Sequence, residues 1–209
     1  SPIINVISNA CILAGRKLLK DFGEVENLQV SKKGNAGFFF KTIQSLENTL
    51  KEELLKARPE WSFLIRGKKL NSIDNKTDSW IINPLDGEIN FTHGIPHISI
   101  SVAAESRGKL IAGCVYDPIR KELFFAENGS GAFMNDRRIR VSGRNQLQNS
   151  LLNTGINLDI ENEYKAYMNE VSQCIINRSE VRVSGCSALD LAWVAAGRTD
   201  GFWQRNLNP

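Results

Sequence analysis

The sequence predicts a mixed α/β or α+β protein built in layers. Two amphipathic helical segments open the chain, a run of short strands joined by hairpin turns follows, and strands then alternate with helices. So many short hairpins argue against a strictly doubly wound sheet. The length of 209 residues suits about one domain, and the polar stretch 142–150 indicates two subdomains, an N-terminal one over 1–145 and a partial C-terminal one over 146–209.

The first two elements are predicted to be helices. Apolar residues recur at helical spacing over 3–18, and Gly23 supplies a stop signal. Three leucines spaced by four residues mark a second helix over 43–57, which Arg58-Pro59 ends. The aromatic run 38–40 is expected in the core or at an interface, because three consecutive rings cannot all face one side of a strand.

Short strands are predicted to follow in close succession as a meander. Alternating or wholly apolar segments, separated by turns rich in Gly, Asn, Asp and Pro, predict strands at 80–82, 98–102, 110–116, 122–126, 132–134 and 138–141. Strands at 151–154, 182–183 and 201–203 then alternate with helices over 161–176 and 187–196. In the first of these helices Tyr164, Met168, Val171 and Ile175 are expected to lie on one apolar stripe.

Composition excludes several classes of protein. With 42% hydrophobic and 23% charged residues the chain is typical of a globular protein. No apolar run reaches the roughly 18–20 residues of a membrane span, and the N-terminus resembles no signal peptide. A net charge of +3 is too small to indicate direct binding of nucleic acid. The four cysteines form no C-x-x-C pair, so we expect reduced, buried thiols in a cytoplasmic protein.

The segment 80–94 carries most of the chemical information. The segment predicts a strand that leads into a Pro/Asp/Gly turn and then into a helix start, so Asp86 lies at the end of a rigid element and Gly87 lets the backbone approach a ligand. Unpaired amides at such a turn can accept an anion. A turn that merely reverses the chain explains the same pattern equally well.

Together with 184–192 and 197–202, this segment closely resembles the inositol monophosphatase family, in particular its bacterial SuhB-type members. The resemblance covers nearly the whole chain. It implies a layered αβαβα sandwich, usually a homodimer, that hydrolyses phosphomonoesters such as inositol 1-phosphate or a similar polyol phosphate with Mg²⁺ as cofactor. The chain is expected to lack the C-terminal part of that fold, because the family's Trp-Asp motif would begin just after Pro209.

Carried over from the family, the metal ligands are Asp86, the backbone carbonyl of Leu85, and Asn83 at the position of a family Asp. Glu88 stands where the family has a Thr that orients the attacking water, and Arg66 stands where it has a water-activating Glu. The segment 37–43 contains no acid, although the family has one there. Because several Mg²⁺ ions beside a phosphate require anionic oxygen ligands, we expect a degenerate metal site and lost or strongly impaired activity.

The resemblance also implies two groups of substrate-binding residues. The first comprises the turn residues Leu85, Asp86, Gly87 and Glu88, and the second comprises Gly185, Cys186, Ser187 and Gln204. If the chain is not an enzyme, the alternative is a SuhB-like regulatory or scaffold protein that associates with protein or RNA-transcription partners. A third hypothesis is metal-free binding of an anion at Arg66, motivated by the reversed charge at that position.

Two other patterns have simpler explanations. His93 and His97 are four residues apart, but Gly94 and Pro96 break any helix between them, so packing in a loop is favoured over metal binding. The arginines near 137–144 alternate with apolar residues, which is typical of the solvated face of a strand rather than of a nucleic-acid surface.

Overall fold

The computed structural model describes residues 1–29, 36–66, 78–156 and 163–207. The chain divides into two compact units, Ser1–Arg138 and Ile139–Pro209, which are called unit 1 and unit 2 below. The boundary therefore lies at the end of the meander, whereas the composition of the chain had placed it after residue 145. Within the described residues, no helix is long and apolar enough to cross a membrane.

Unit 1 combines helices with one seven-stranded sheet of sequential order β1 to β7. Its helices are α1 Pro2–Gln29, α2 Ala36–Ala57 and the short α3 Glu88–Thr92. Its strands are β1 Ser62–Ile65, β2 Ser79–Asp86, β3 Ser99–Ser106, β4 Lys109–Asp117, β5 Glu122–Glu127, β6 Gly131–Met134 and β7 Arg137–Arg138. The β1–β2 pair is parallel, and all later pairs are antiparallel. The predicted meander is thus confirmed.

The core of unit 1 lies where α1 and α2 pack on the sheet. The three leucines at 46, 50 and 54 are fully buried, as are Ile7, Ala14 and Leu18 on α1. This confirms the apolar faces predicted from helical spacing. A Cβ atom on Gly15 would overlap the Tyr116 ring, so glycine at this position lets α1 approach β4 closely.

Three predicted boundaries in unit 1 are wrong. Helix α1 continues through Gly23 to Gln29, because one internal glycine costs only about 1 kcal/mol while buried Val25 adds to the packing. Helix α2 begins at Ala36, so the aromatic run 38–40 is helical: Phe38 and Phe39 pack around Phe91, and Phe40 is 68% exposed. Strand β7 ends at Arg138 instead of continuing to 141.

Unit 2 contains a three-stranded parallel sheet of order β10-β8-β9. Its elements are β8 Leu151–Thr154, α4 Tyr164–Ile176, β9 Glu180–Arg182, α5 Ser187–Ala195 and β10 Gly201–Trp203. The predicted alternation of strands and helices is confirmed. Helix α4 connects β8 to β9 in one direction across the sheet, and α5 connects β9 back past β8 to β10 in the other direction. Because both crossovers are right-handed, the two helices lie on opposite faces of the sheet.

Helix α4 does not bury the stripe that its sequence predicts. Tyr164, Met168 and Ile175 are all exposed, and no residue of the helix is fully buried. Of the predicted stripe only Val171 is half-buried, together with Tyr167 and Cys174 beside it. The apolar side chains form one broad arc around the helix, and docking against β9 half-buries only part of that arc.

All four cysteines are free thiols. Cys11, Cys114 and Cys186 are buried, as predicted, whereas Cys174 on α4 is half-buried. A hydrogen bond with Cys11, together with burial, raises the pKa of the Cys114 thiol well above its ordinary value. Because the thiolate is the reactive form, the raised pKa disfavours reaction of the Cys114 thiol.

Candidate active site

Strand pairing brings Arg66 to the end of β2. Strands β1 and β2 are parallel, with Ile65 opposite Ile82, and the Arg66 N–H donates to the Ile82 carbonyl at 3.0 Å. Parallel strands end at the same edge of a sheet, so the first residue after β1 lies beside the last residues of β2. Arg66 therefore meets Asp86 although the two residues are 20 positions apart in sequence, and Asn83 lies beside them.

The turn after β2 has the geometry that its sequence predicts. The β2–β3 ladder shifts register between Asn83 and Asp86, where Pro84 offers no N–H. Gly87 then adopts a left-handed conformation with φ 85°, and α3 starts at Glu88, which is exposed. The predicted sequence of strand, turn and helix is confirmed, and it places Asp86, 7% exposed, at the rim of the sheet.

The Arg66 guanidinium occupies the centre of this group. Its Nη1 donates to Asp86 Oδ1 at 2.9 Å. With the Asn83 amide oxygen facing Arg66, that oxygen accepts from Nη1 at 3.1 Å, and the amide nitrogen donates to the Leu85 carbonyl at 3.0 Å. The three groups expected to bind a metal are thus hydrogen-bonded around a cation or to one another.

This donor set does not fit Mg²⁺. Magnesium takes about six oxygens in near-octahedral geometry and favours carboxylates, whereas the group offers one carboxylate, one amide oxygen and one carbonyl. Unit charges about 4 Å apart interact by about 4 kcal/mol at an effective dielectric constant of about 20, so a divalent ion beside the guanidinium meets a repulsion of about 8 kcal/mol. A Mg²⁺ ion at Asp86 must bear that repulsion or displace Arg66.

The rest of the described chain offers no replacement centre. Among the residues that the structure describes, no three His, Cys, Asp or Glu side chains are grouped so that they could hold a metal ion. His93 is exposed, with its ring Nδ1 2.9 Å from the Ile89 carbonyl oxygen, and His97 is buried in the loop before β3. The loop role predicted for these histidines agrees with this placement.

The second predicted substrate group lies at one edge of the sheet in unit 2. Gly185, Cys186 and Ser187 follow β9, and Gln204 follows β10, so parallel pairing gathers them at the carboxyl ends of the strands. Ser187 Oγ donates to Gln204 Oε1 at 2.6 Å. Gly185 is left-handed with φ 81°, and Cys186 is buried immediately before α5.

Two further residues at this edge were missed in the sequence. A Cβ atom on Gly155 would overlap the Gln204 side chain, so glycine after β8 leaves room for the Ser187–Gln204 contact. Asn153, buried within β8, donates to the buried carboxylate of Asp190 at 2.8 Å. An asparagine directly after two leucines in a short predicted strand was the available signal for the contact between Asn153 and Asp190.

Comparisons with known proteins identify the family to which this fold belongs. The model of the inositol monophosphatase family matches residues 1–209, and the chain belongs to that family. It is 43% identical over 208 residues to the inositol-1-monophosphatase of Rhizobium meliloti, a match that covers 99% of this chain and 78% of that protein. It is 32% identical over 209 residues to the Nus factor SuhB of Escherichia coli, covering 100% of this chain and 78% of that protein.

Solved structures show the same architecture. The native extragenic suppressor protein suhB of Bartonella henselae superposes with a TM-score of 0.87 at 45% identity, covering 100% of this chain and 80% of that one. The inositol monophosphatase of Anabaena gives a TM-score of 0.82 at 32% identity, covering 100% of this chain and 76% of that one. The predicted family and the predicted layered α+β sandwich are therefore confirmed.

Proposed function

We propose that this chain retains the phosphomonoesterase scaffold of its family but has replaced the catalytic metal with an internal cation, so that turnover is lost or strongly impaired. The 2.9 Å contact between Arg66 Nη1 and Asp86 Oδ1 supports this proposal. In this arrangement the only carboxylate among the three expected ligands is neutralised by a guanidinium rather than by Mg²⁺. The proposed catalytic positions Asp86, Glu88 and Arg66 then have no means of activating a water molecule.

The charges around the turn also oppose a substrate. The family's substrate class is a phosphorylated polyol, whose phosphate is a dianion near neutral pH. Glu88 is exposed in the first turn of α3, and its negative charge repels such a group from the neighbouring amides. Gly185, Cys186, Ser187 and Gln204 remain the proposed contacts for the polyol, with Gln204 carrying no charge where the family has a Glu.

A direct assay tests the proposal. Hydrolysis of inositol 1-phosphate with saturating Mg²⁺ is measured beside the Rhizobium meliloti relative, and Mg²⁺ binding is measured by calorimetry. Loss of about 4 kcal/mol of transition-state stabilisation lowers the rate of hydrolysis about a thousandfold. We expect the rate to be lower than that of the relative by at least this factor, and we expect no heat of Mg²⁺ binding at millimolar Mg²⁺. Turnover within tenfold of the relative, or saturable Mg²⁺ binding, contradicts the proposal.

A second candidate function is a SuhB-like regulatory or scaffold role. Relatives 32–35% identical carry the name Nus factor SuhB, and the Arg66–Asp86 pair stabilises the strand ends without a bound metal, as a non-catalytic scaffold requires. The test is whether this chain replaces Escherichia coli SuhB in cells that lack it, with Arg66→Ala as a matched variant. Failure of a folded, expressed chain argues against this role.

The homodimer and the cytoplasmic location remain proposals. The four free cysteines support the location, since disulfides are favoured outside the cytosol. Light scattering on the purified chain decides the oligomeric state, and a monomer at micromolar concentration contradicts the homodimer.

A further inference from the structure

Gln204 lies where the order of strands in unit 2 reverses. The chain passes from the central strand β8 to β9 on one side and then returns past β8 to β10 on the other side. In open sheets of parallel strands, small ligands bind beside the carboxyl ends of the two strands at such a reversal. Gly155 follows β8 and Gln204 follows β10, so both residues lie at this position.

The ends of β8 and β10 are firmly paired. Thr154 Oγ1 donates to the Trp203 carbonyl at 2.8 Å, and the Gly155 N–H donates to the same carbonyl at 3.3 Å. The backbone that carries Gln204 is therefore fixed up to the residue before it. A side chain at a rigid strand end is positioned more precisely than a side chain in a loop.

The side-chain amide of Gln204 is held in one orientation. Its Oε1 accepts a hydrogen bond from Ser187 Oγ at 2.6 Å. The three atoms nearest to a Cβ on Gly155 would be Oε1 at 2.2 Å, Cδ at 2.4 Å and Cγ at 3.0 Å of the Gln204 side chain, so Nε2 lies farther away. The amide oxygen therefore faces Gly155 and Ser187, and the amide nitrogen points away from Gly155.

The amide nitrogen of Gln204 is available to a ligand. Within the described residues Nε2 donates no hydrogen bond, and it is not one of the buried polar atoms that lack a partner, so solvent reaches it. An amide N–H₂ group donates hydrogen bonds and accepts none. This strand edge therefore presents two N–H donors, which can bond only to an acceptor atom.

An amide nitrogen and a carboxylate select different ligand groups. A glutamate at position 204 would accept hydrogen bonds from hydroxyl groups and would repel a carboxylate. The Gln204 nitrogen instead donates and carries no charge. A carboxylate on the ligand suits it best, because hydrogen bonds to charged groups are stronger than hydrogen bonds between neutral groups.

We propose that Gln204 determines specificity at this edge by donating to a carboxylate of the ligand, so that a sugar acid binds in preference to the corresponding neutral sugar. The inference rests on the proposed function only in taking this edge as the place where the polyol binds. It requires neither Mg²⁺ nor turnover, and it involves no residue of the turn after β2.

The test compares the binding of D-glucuronate and D-glucose to the whole chain in the absence of Mg²⁺. The two probes differ only in a carboxylate that replaces a hydroxymethyl group. We expect glucuronate to bind at least about tenfold more tightly, because a hydrogen bond to a charged group contributes that much. In NMR spectra, glucuronate should also shift the side-chain N–H₂ resonances of Gln204.

Two matched variants separate this contact from general attraction of an anion. Gln204→Glu replaces the donor with a carboxylate and should reverse the preference, so that glucose binds more tightly than glucuronate. Gln148→Glu makes the same chemical change at an exposed position before β8, at the opposite edge of the sheet. That variant should keep the preference of the wild-type chain.

The proposal is overturned if the folded wild-type chain binds glucose as tightly as glucuronate, or binds neither probe at millimolar concentration. A preference for glucuronate that survives in Gln204→Glu also overturns it, because the donor then lies elsewhere. Turnover of inositol 1-phosphate close to that of the Rhizobium meliloti relative has a different meaning. It contradicts the proposed loss of activity alone, since the preference between the two probes does not depend on turnover.

Discussion

Replacing the internal cation with an acid gives the sharpest test of the site. In Arg66→Glu the guanidinium that bonds Asp86 is lost and a second carboxylate takes its place. Asp86 has only 10% of its side chain exposed while Arg66 has 49%, so the existing pair lies between a surface pair and a buried pair and contributes about 1–2 kcal/mol. Repulsion between the two carboxylates of the variant destabilises its fold by a similar amount. Without metal, the variant should be about 2–4 kcal/mol less stable than wild type.

Magnesium should reverse this loss in the variant alone. Two carboxylates, the Asn83 amide oxygen and the Leu85 carbonyl make a better oxygen set for Mg²⁺ than the wild-type group. At a Mg²⁺ concentration about a hundredfold above the Kd, binding adds about 2.7 kcal/mol. For a chain of this size that corresponds to a rise in Tm of about 5–10 °C.

The assay is thermal unfolding with and without Mg²⁺ for wild type, Arg66→Glu and Arg137→Glu. The last variant makes the same charge change at an exposed position on β7 and controls for net charge. Wild type and the control should show no Mg²⁺-dependent shift. The reasoning is refuted if wild type gains as much from Mg²⁺ as Arg66→Glu does, or if Arg66→Glu folds and gains nothing.

Two further predictions concern unit 2. Gly155→Ala should displace the Gln204 side chain and break its hydrogen bond with Ser187, which should lower the free energy of unfolding by about 1 kcal/mol. Urea unfolding of this variant, of Ser187→Ala and of the double variant measures the coupling between the two positions. Strictly additive losses of stability contradict the prediction. Burial alone would raise the pKa of Asp200, but hydrogen bonds from Ser142, the Leu151 N–H and Arg144 outweigh it and lower that pKa. Asp200 should therefore stabilise the fold above the unfolded pKa of about 3.9, and this contribution should disappear as the pH falls through the lower folded value. Acid unfolding of Asp200→Asn measures it, and an unchanged pH profile counts against the assignment.

Much of the fold was predictable because the elements of unit 1 have strong local signals. The leucine spacing of α2 and the alternation along β3 report directly on which face is buried. Where local signals conflicted, packing decided: Gly23 suggested a helix end, yet α1 continues because its next turn buries Val25. On α4 the apolar residues cover a broad arc, and sequence spacing alone could not say which part of that arc faces the sheet.

The sequence by itself determined the family, the order of most elements and the position of Asp86 at a strand end, because these depend on residue types and short spacings. Only the tertiary structure decided what surrounds that carboxylate. Arg66 and Asp86 are brought together by parallel pairing of β1 with β2, and a register of Ile65 opposite Ile82 is a long-range property of the sheet. A position that the sequence shows as a reversed charge is, in the folded chain, a cation hydrogen-bonded to the acid that remains.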